Sequence, residues 1–453
     1  TGALLLLVSC SLVSYAQPQQ KRTFASLVEN ARKVDGFLPL YVNSEEGKIF
    51  LEVSSFNKEF LYLVSLPTGV GSNPIGLDRG QPGSTKLVFF ERAGNKILLV
   101  QPNYRFRASS GDSEQKRSVE ESFARSVIWG FKIEASDGGR FLVDATSFII
   151  RDAHEVSDRL NRARQGSYSF DESRSALYLP NIKGFPKNTE IETTITLTTN
   201  SGAGGLVNQV APTGKHITVR QRHSFVKLPD DNYRPRKYDP RVGVFSLNFY
   251  DYGTDINQDL EKRWIRRFRL EKKDTSAEMS QPIEPIIFYV DNGAPKAIQD
   301  ALLEGAAWWD QAFEAAGFKG AFQVKVLPAD ADPMDIRFNV INWVHRSTRG
   351  WSIGNSIVDP RTGEVLRGIV TLDSQRARQD FLIGTGLLPQ YASGEEFCAF
   401  AASPDLEHFS SELSAEEITA MSYARIRQLS AHEVGHTLGL AHNFAGSTYG
   451  DAS

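Results

Sequence analysis

The sequence predicts an α+β protein: a β-rich, antiparallel N-terminal module followed by a unit in which strands and helices alternate. Three observations predict it. In the N-terminal half, apolar alternation is broken by short Gly- and Asn-bearing turns, the signature of hairpins. Composition then shifts at residues 272–285, a charged, proline-bearing connector. Past the connector, short apolar strands alternate with helical periodicity and end on a helix carrying His432, Glu433 and His436.

A chain of 453 residues with 41% hydrophobic content can bury at least two substantial cores, so two or three domains are expected. Its net charge of −3, with basic residues scattered, leaves no electrostatic footprint for nucleic acid. The apolar opening, residues 3–13, is too short to span a membrane and resembles the core of a secretory signal, so residues 1–16 are expected to be a signal segment. Ser14-Tyr15-Ala16 offers a cleavage site. Leu7-Val8-Ser9-Cys10 resembles a lipoprotein box, which would leave a lipid anchor on Cys10 instead. Cleavage after Ala16 is preferred because the apolar run continues past Cys10. Either route exports the chain, making it periplasmic, outer-membrane-associated or extracellular, and leaves no internal disulfide in the mature form. The first residue is Thr1, so the basic start of the signal is expected to be missing.

Residues 17–80 are expected to form a helix and hairpin region. Residues 23–33 carry Phe24, Leu27 and Val28 at helical spacing, and strands at 37–41 and 48–53 flank a turn ending in Gly47. Residues 81–275 are expected to form a β-rich domain of unknown function, with hairpins at 86–92/96–101 and 127–134/140–149. Ile191, Thr193, Ile195 and Leu197 alternate with polar partners, the period of a half-buried strand. The Gly-rich run at 69–83 lacks the GK[ST] ending of a phosphate loop and is expected to be a surface loop. Residues 264–273 carry five basic side chains, but Trp264, Phe268 and Leu270 share one face, which predicts a solvated strand.

Beyond the connector, 286–290 is a short buried strand. Pro295 opens a helix with Ile298, Leu302, Ala306, Trp309 and Phe313 on one side, and Gly317 closes it. Strands are expected at 322–327, 335–343, 351–358 and 367–373, then a loop-rich insertion over 374–413. Ser414 and Glu417 form a capping box that starts the last helix.

That helix leads into His432-Glu433-Val434-Gly435-His436-Thr437-Leu438-Gly439-Leu440-Ala441-His442. Residues four apart share a helix face, so His432 and His436 can present two imidazole nitrogens to one ion. Gly439 can adopt the left-handed conformation that ends the helix and returns His442 as a third ligand. Three protein ligands leave a fourth tetrahedral position open, the pattern of a catalytic zinc, with Glu433 beside the metal without ligating it. The other histidines, His154, His216, His223, His345 and His408, lack ligand spacing and are assigned structural or surface roles, with a cleft position open for His345. Cys398 sits among Phe397, Ala399 and Phe400 and is expected to be a buried, inert thiol.

The HExxHxxGxxH stretch, preceded by one helix and a set of strands, resembles the metzincin zinc endopeptidases. The Asn443-Phe444 ending and β-rich N-terminal half resemble a group of secreted bacterial zinc-dependent metalloproteases that join domains of unknown function to a metzincin catalytic domain. The resemblance implies His432, His436 and His442 as ligands of Zn2+ and Glu433 as general base. It also implies a catalytic domain over 283–453 with a mixed sheet and active-site helix, acting on protein or peptide. Metzincins pair extended substrate with an edge strand, for which 351–358 is the candidate. They also place a methionine-bearing turn after the third histidine; all three methionines here precede the motif and Ser453 lies 11 residues past His442, so truncation at both ends is expected. The alternative is a non-catalytic peptide- or glycan-binding envelope protein with a vestigial zinc site. An intact ligand set with Glu433 argues against it, and Gly439 with His442 argues against a thermolysin-type site with a glutamate ligand.

Overall fold

The computed structural model describes residues 23–387, 414–443 and 446–448. The opening segment with Cys10, and Cys398, His408 and Phe444, lie outside the described residues. Among the described residues no helix is long and apolar enough to cross a membrane.

The N-terminal hairpins assemble into one eleven-stranded sheet that runs from Arg32–Val34 at one edge to Ser169–Gly184 at the other. Every neighbouring pair in it is antiparallel. Strands before and after residue 80 lie side by side, Phe60–Thr68 between Pro82–Ala93 and His216–Lys227. The turn at Gly47, with φ of +62°, supplies the left-handed residue that joins Leu40–Asn43 to Lys48–Val53. Apolar faces of these strands bury Phe60, Tyr62, Phe131, Phe148 and Phe225 in one core. Each such ring contributes about 1.5–3 kcal/mol by leaving water.

A second sheet is built mostly from strands past the connector, with Arg267–Phe268 joining it from before the connector. Arg267–Phe268, Glu364–Asp373, Asn339–Val344, Ile286–Val290 and Phe322–Val326 are parallel neighbours in that order, and Ile353–Val358 pairs antiparallel with Glu364–Asp373. Val370 and Leu372 face the helices Lys296–Ala307 and Ala415–Thr437, sharing a core with Ile298, Leu302, Ile426 and Val434. Ile369, one step out of phase, packs with Leu61, Leu63, Leu87 and Val226 of the β-rich sheet. The strand is buried on both faces because the two sheets meet across it.

Several elements differ from the sequence expectation, each for a tertiary reason. The helix predicted over 23–33 stops at Val28, and Arg32–Val34 is the edge strand. The strand predicted to Ile149 ends at Asp144, whose carboxylate accepts from the Thr146 amide (2.9 Å) and starts the short helix Thr146–Ile149. The single helix predicted after Pro295 divides at Trp308. The insertion predicted as loop-rich begins with the helix Ser374–Leu387. Asn188–Thr198 is not half-buried: Asn188, Glu190 and Glu192 are as buried as Ile191. Asn188 donates to the Met334 carbonyl (2.8 Å) and accepts from the Ile336 amide (3.1 Å), so its polar face meets the second unit rather than solvent. The Gly-rich run is not a surface loop either. Leu77 and Asp78 within it are fully buried, and Asp78 pairs with Arg346.

Two of the histidines are core polar groups. His223 Nε2 lies 2.9 Å from the Ile149 carbonyl, which can only accept, so the proton sits there, and Nδ1, 2.8 Å from the Tyr62 hydroxyl, can accept from it while the ring is neutral. Burial first, and Arg151 second, push its pKa down to about 3. The unfolded chain takes up a proton below about 6.5 and the folded chain does not until about 3, so this stability is complete above the first value and is lost toward the second. Melting temperature should therefore fall across that interval, and His223→Gln should flatten the fall; an unchanged slope would count against the assignment. His154, pushed down to about 4 by burial, accounts for part of the slope that remains.

Candidate metal centre

The helix Ala415–Thr437 begins where the sequence says it should. Ser414 Oγ accepts from the Glu417 amide (3.2 Å) and the Ser414 amide donates to Glu417 Oε2 (2.7 Å). Ile418, Ile426 and Val434 bury one face. Hydroxyls on that face tie the helix to its neighbours: Ser422 donates to the Ala377 carbonyl and Ser430 to the Leu302 carbonyl, both at 2.8 Å. Trp309 Nε1 donates to the Ala431 carbonyl (2.8 Å), one residue before the first histidine of the motif. Position and rotation of the helix are fixed before any ligand is considered.

Gly439 closes the helix with φ of +106°. The Leu440 amide donates back to the Gly435 carbonyl (3.0 Å) and the Gly439 amide to the His436 carbonyl (3.1 Å). A side chain at Gly439 would be strained by φ and would collide with the Arg266 carbonyl. The turn brings His442 back, and Nε2 of His432, His436 and His442 lie 3.1 Å from one another. Tetrahedral ligands at about 2.0–2.1 Å from zinc stand roughly 3.3 Å apart, so the donor set fits that ion in number, type and spacing. Among the described residues these three side chains form the one group able to hold a metal.

His436 Nδ1 lies 2.8 Å from the Leu440 carbonyl, which can only accept. The proton therefore sits on Nδ1 and the Nε2 lone pair points at the site. Burial, with the neighbouring imidazoles, pushes the His432 pKa down, which favours the neutral form that ligates. Glu433 is only 5% exposed. Burial pushes its pKa up to about 7, opposed by the Gly354 backbone and His442.

Gly354 is the contact that sequence spacing did not reveal. Its strand, Ile353–Val358, lies so close to the helix that a Cβ would collide with the Glu433 carbonyl and come within 2.9 Å of His436 Cβ. An isolated glycine in a strand pattern signals such an approach. Among the described residues this strand pairs only with Glu364–Asp373, so it is an edge beside the metal-site helix. His345 is exposed, bonded to Ser374 Oγ at 2.9 Å, and is not part of the histidine cluster.

A long helix presenting two imidazoles four residues apart, ended by a glycine turn that returns a third, fits a zinc site of metzincin type. Residues 414–453 match the family described as Met-zincin, and residues 80–273 match the one described as Domain of unknown function (DUF5117). No curated protein and no solved structure matches the chain.

Proposed function

We propose that the chain is an exported zinc-dependent endopeptidase whose catalytic domain occupies residues 283–453 behind a β-rich domain at 81–275 and a smaller region at 17–80, these last two sharing one sheet. The observation that carries the reading is the triangle of Nε2 atoms, each 3.1 Å from the others, with the buried carboxyl of Glu433 on the same helix. His432, His436 and His442 would hold the ion. Bound zinc supplies Lewis acidity, lowering the pKa of a coordinated water toward about 7 and polarising the scissile carbonyl. Glu433 takes the proton of the attacking water and delivers it to the leaving amine. Substrate in extended form adds to the edge of Ile353–Val358 that is unpaired among the described residues, its main chain taking the ladder positions. The support for export is the apolar opening segment and its cleavage-like ending at Ala16.

The test begins with metal. The full chain should bind one equivalent of zinc, and His442→Ala should lower that affinity steeply while leaving the helix Ala415–Thr437 intact by circular dichroism. Digestion of a peptide library should be zinc-dependent and give internal cleavages. A chain that binds zinc yet cleaves nothing would sink the endopeptidase reading and leave only the metal site.

A further inference from the structure

We infer that residues 243–245, inside the matched domain of unknown function, are a positioning element of the metal centre: a backbone clamp that holds the third-ligand turn. The inference rests on the zinc reading above. His432 and His436 are placed by the helix that carries them, whereas His442 stands beyond it, two residues past the Leu440 amide that bonds back to the Gly435 carbonyl. The clamp takes over there. The Phe245 amide donates to the Gly439 carbonyl (2.7 Å) and the Ala441 amide donates to the Gly243 carbonyl (3.0 Å), with Val244 opposite Leu440 as an antiparallel bridge.

The residue caught between those two bonds is Leu440, whose carbonyl faces His436 Nδ1. One element therefore fixes both the approach of His442 and the acceptor that sets the His436 tautomer. The clamp is itself held. It continues into the strand Ser246–Asp251, paired with Glu261–Ile265, and the Arg266 amide returns to the Phe245 carbonyl (3.1 Å). The Phe245 ring packs on the His436 ring at 5.8 Å between centroids. Gly243 fits against Asn443, where an added Cβ would stand 3.5 Å from Asn443 Cβ. The domain of unknown function thus supplies part of the architecture of the zinc site.

Phe245→Pro deletes the amide that donates to Gly439, and Phe245→Ala keeps that amide while removing the ring. In the full chain, zinc affinity by chelator competition should weaken about 10- to 100-fold in Phe245→Pro, the range for loss of an outer-shell partner. Phe245→Ala should stay closer to wild type. The absorption bands of the cobalt-substituted protein should change in the proline variant, while metal-free melting shows that it is folded. A folded proline variant with wild-type affinity and spectrum overturns the inference, and so does an equal loss in both variants. If Phe245→Pro does not fold, hydrogen exchange in the wild type decides: zinc should slow exchange across residues 239–251, and unchanged exchange there overturns the clamp. A wild-type chain that binds no zinc instead overturns the metal-site reading.

Discussion

Glu433→Gln should leave one equivalent of zinc bound and reduce peptide hydrolysis by roughly two to four orders of magnitude, the contribution of a positioned general base. The amide keeps the size and the acceptor oxygen of the carboxylate and cannot take a proton. Glu433 follows His432 on a helix whose position is set by Trp309, Ser422 and Ser430, so the substitution has no route to the metal ligands other than through the site itself. Stability should not suffer. A carboxyl whose folded pKa is raised from 4.5 to about 7 contributes stability that is complete below the first value and lost as pH rises through the second. Above that second value the native state carries a buried charge that glutamine does not. The metal-free variant should therefore melt at or above the wild-type temperature in mildly alkaline buffer. Full hydrolysis by a zinc-loaded Glu433→Gln would show that the proton passes through another group, and a lower melting temperature would show that the carboxylate is structural.

What the sequence made legible was local. The capping box at Ser414 and Glu417, the hairpin turn at Gly47, the left-handed Gly439 and the spacing of three histidines all concern residues within one or two turns of each other, and each appears as expected. What it hid was relational. Asn188–Thr198 shows alternating apolar and polar residues, which means one solvated face only if nothing covers that face; here the carbonyl of Met334 and the amide of Ile336 do. The helix Ser374–Leu387 contains Gly384 and Gly386 and reads poorly as a helix. It is held from outside, by Ser422 on the Ala377 carbonyl and by close packing of Gly384 against Met421. Gly243, Val244 and Phe245 carry no motif, and their bonds to the metal-site turn cross almost two hundred positions of sequence. The candidate site was readable because its three histidines are sequence neighbours; the supporting shell was not, because its members are neighbours only in space.

The junction of the two sheets provides the larger stability prediction. Asp78→Ala should destabilise the chain by about 3–5 kcal/mol, the cost of leaving a buried charge without its partner. Side chains of Arg346, Asp78 and Asp373 are all fully buried. Arg346 Nε donates to Asp78 Oδ2 at 2.5 Å, across 268 positions of sequence, while Asp373 lies 3.6 Å away and is already satisfied by the amides of Gly350 (2.8 Å) and Gln375 (3.0 Å). Deleting Asp78 therefore removes the closest counter-charge of the guanidinium, and the remaining carboxylate cannot move to replace it without abandoning two backbone donors. Asp78→Asn should cost less, since its oxygen still accepts from Nε. The consequence should reach function, because Arg346 also donates to the Trp351 carbonyl (2.8 Å), two residues before the edge strand Ile353–Val358. A loosened Arg346 should raise KM for peptide more than it lowers kcat. Urea midpoints for the variants measure the first effect and steady-state kinetics the second. If Asp78→Ala unfolds within about 0.5 kcal/mol of wild type, as an ordinary surface change would, the ion network carries no net stability. The junction then rests on the apolar contacts of Leu61, Leu63, Leu87 and Val226 with Ile336 and Ile357.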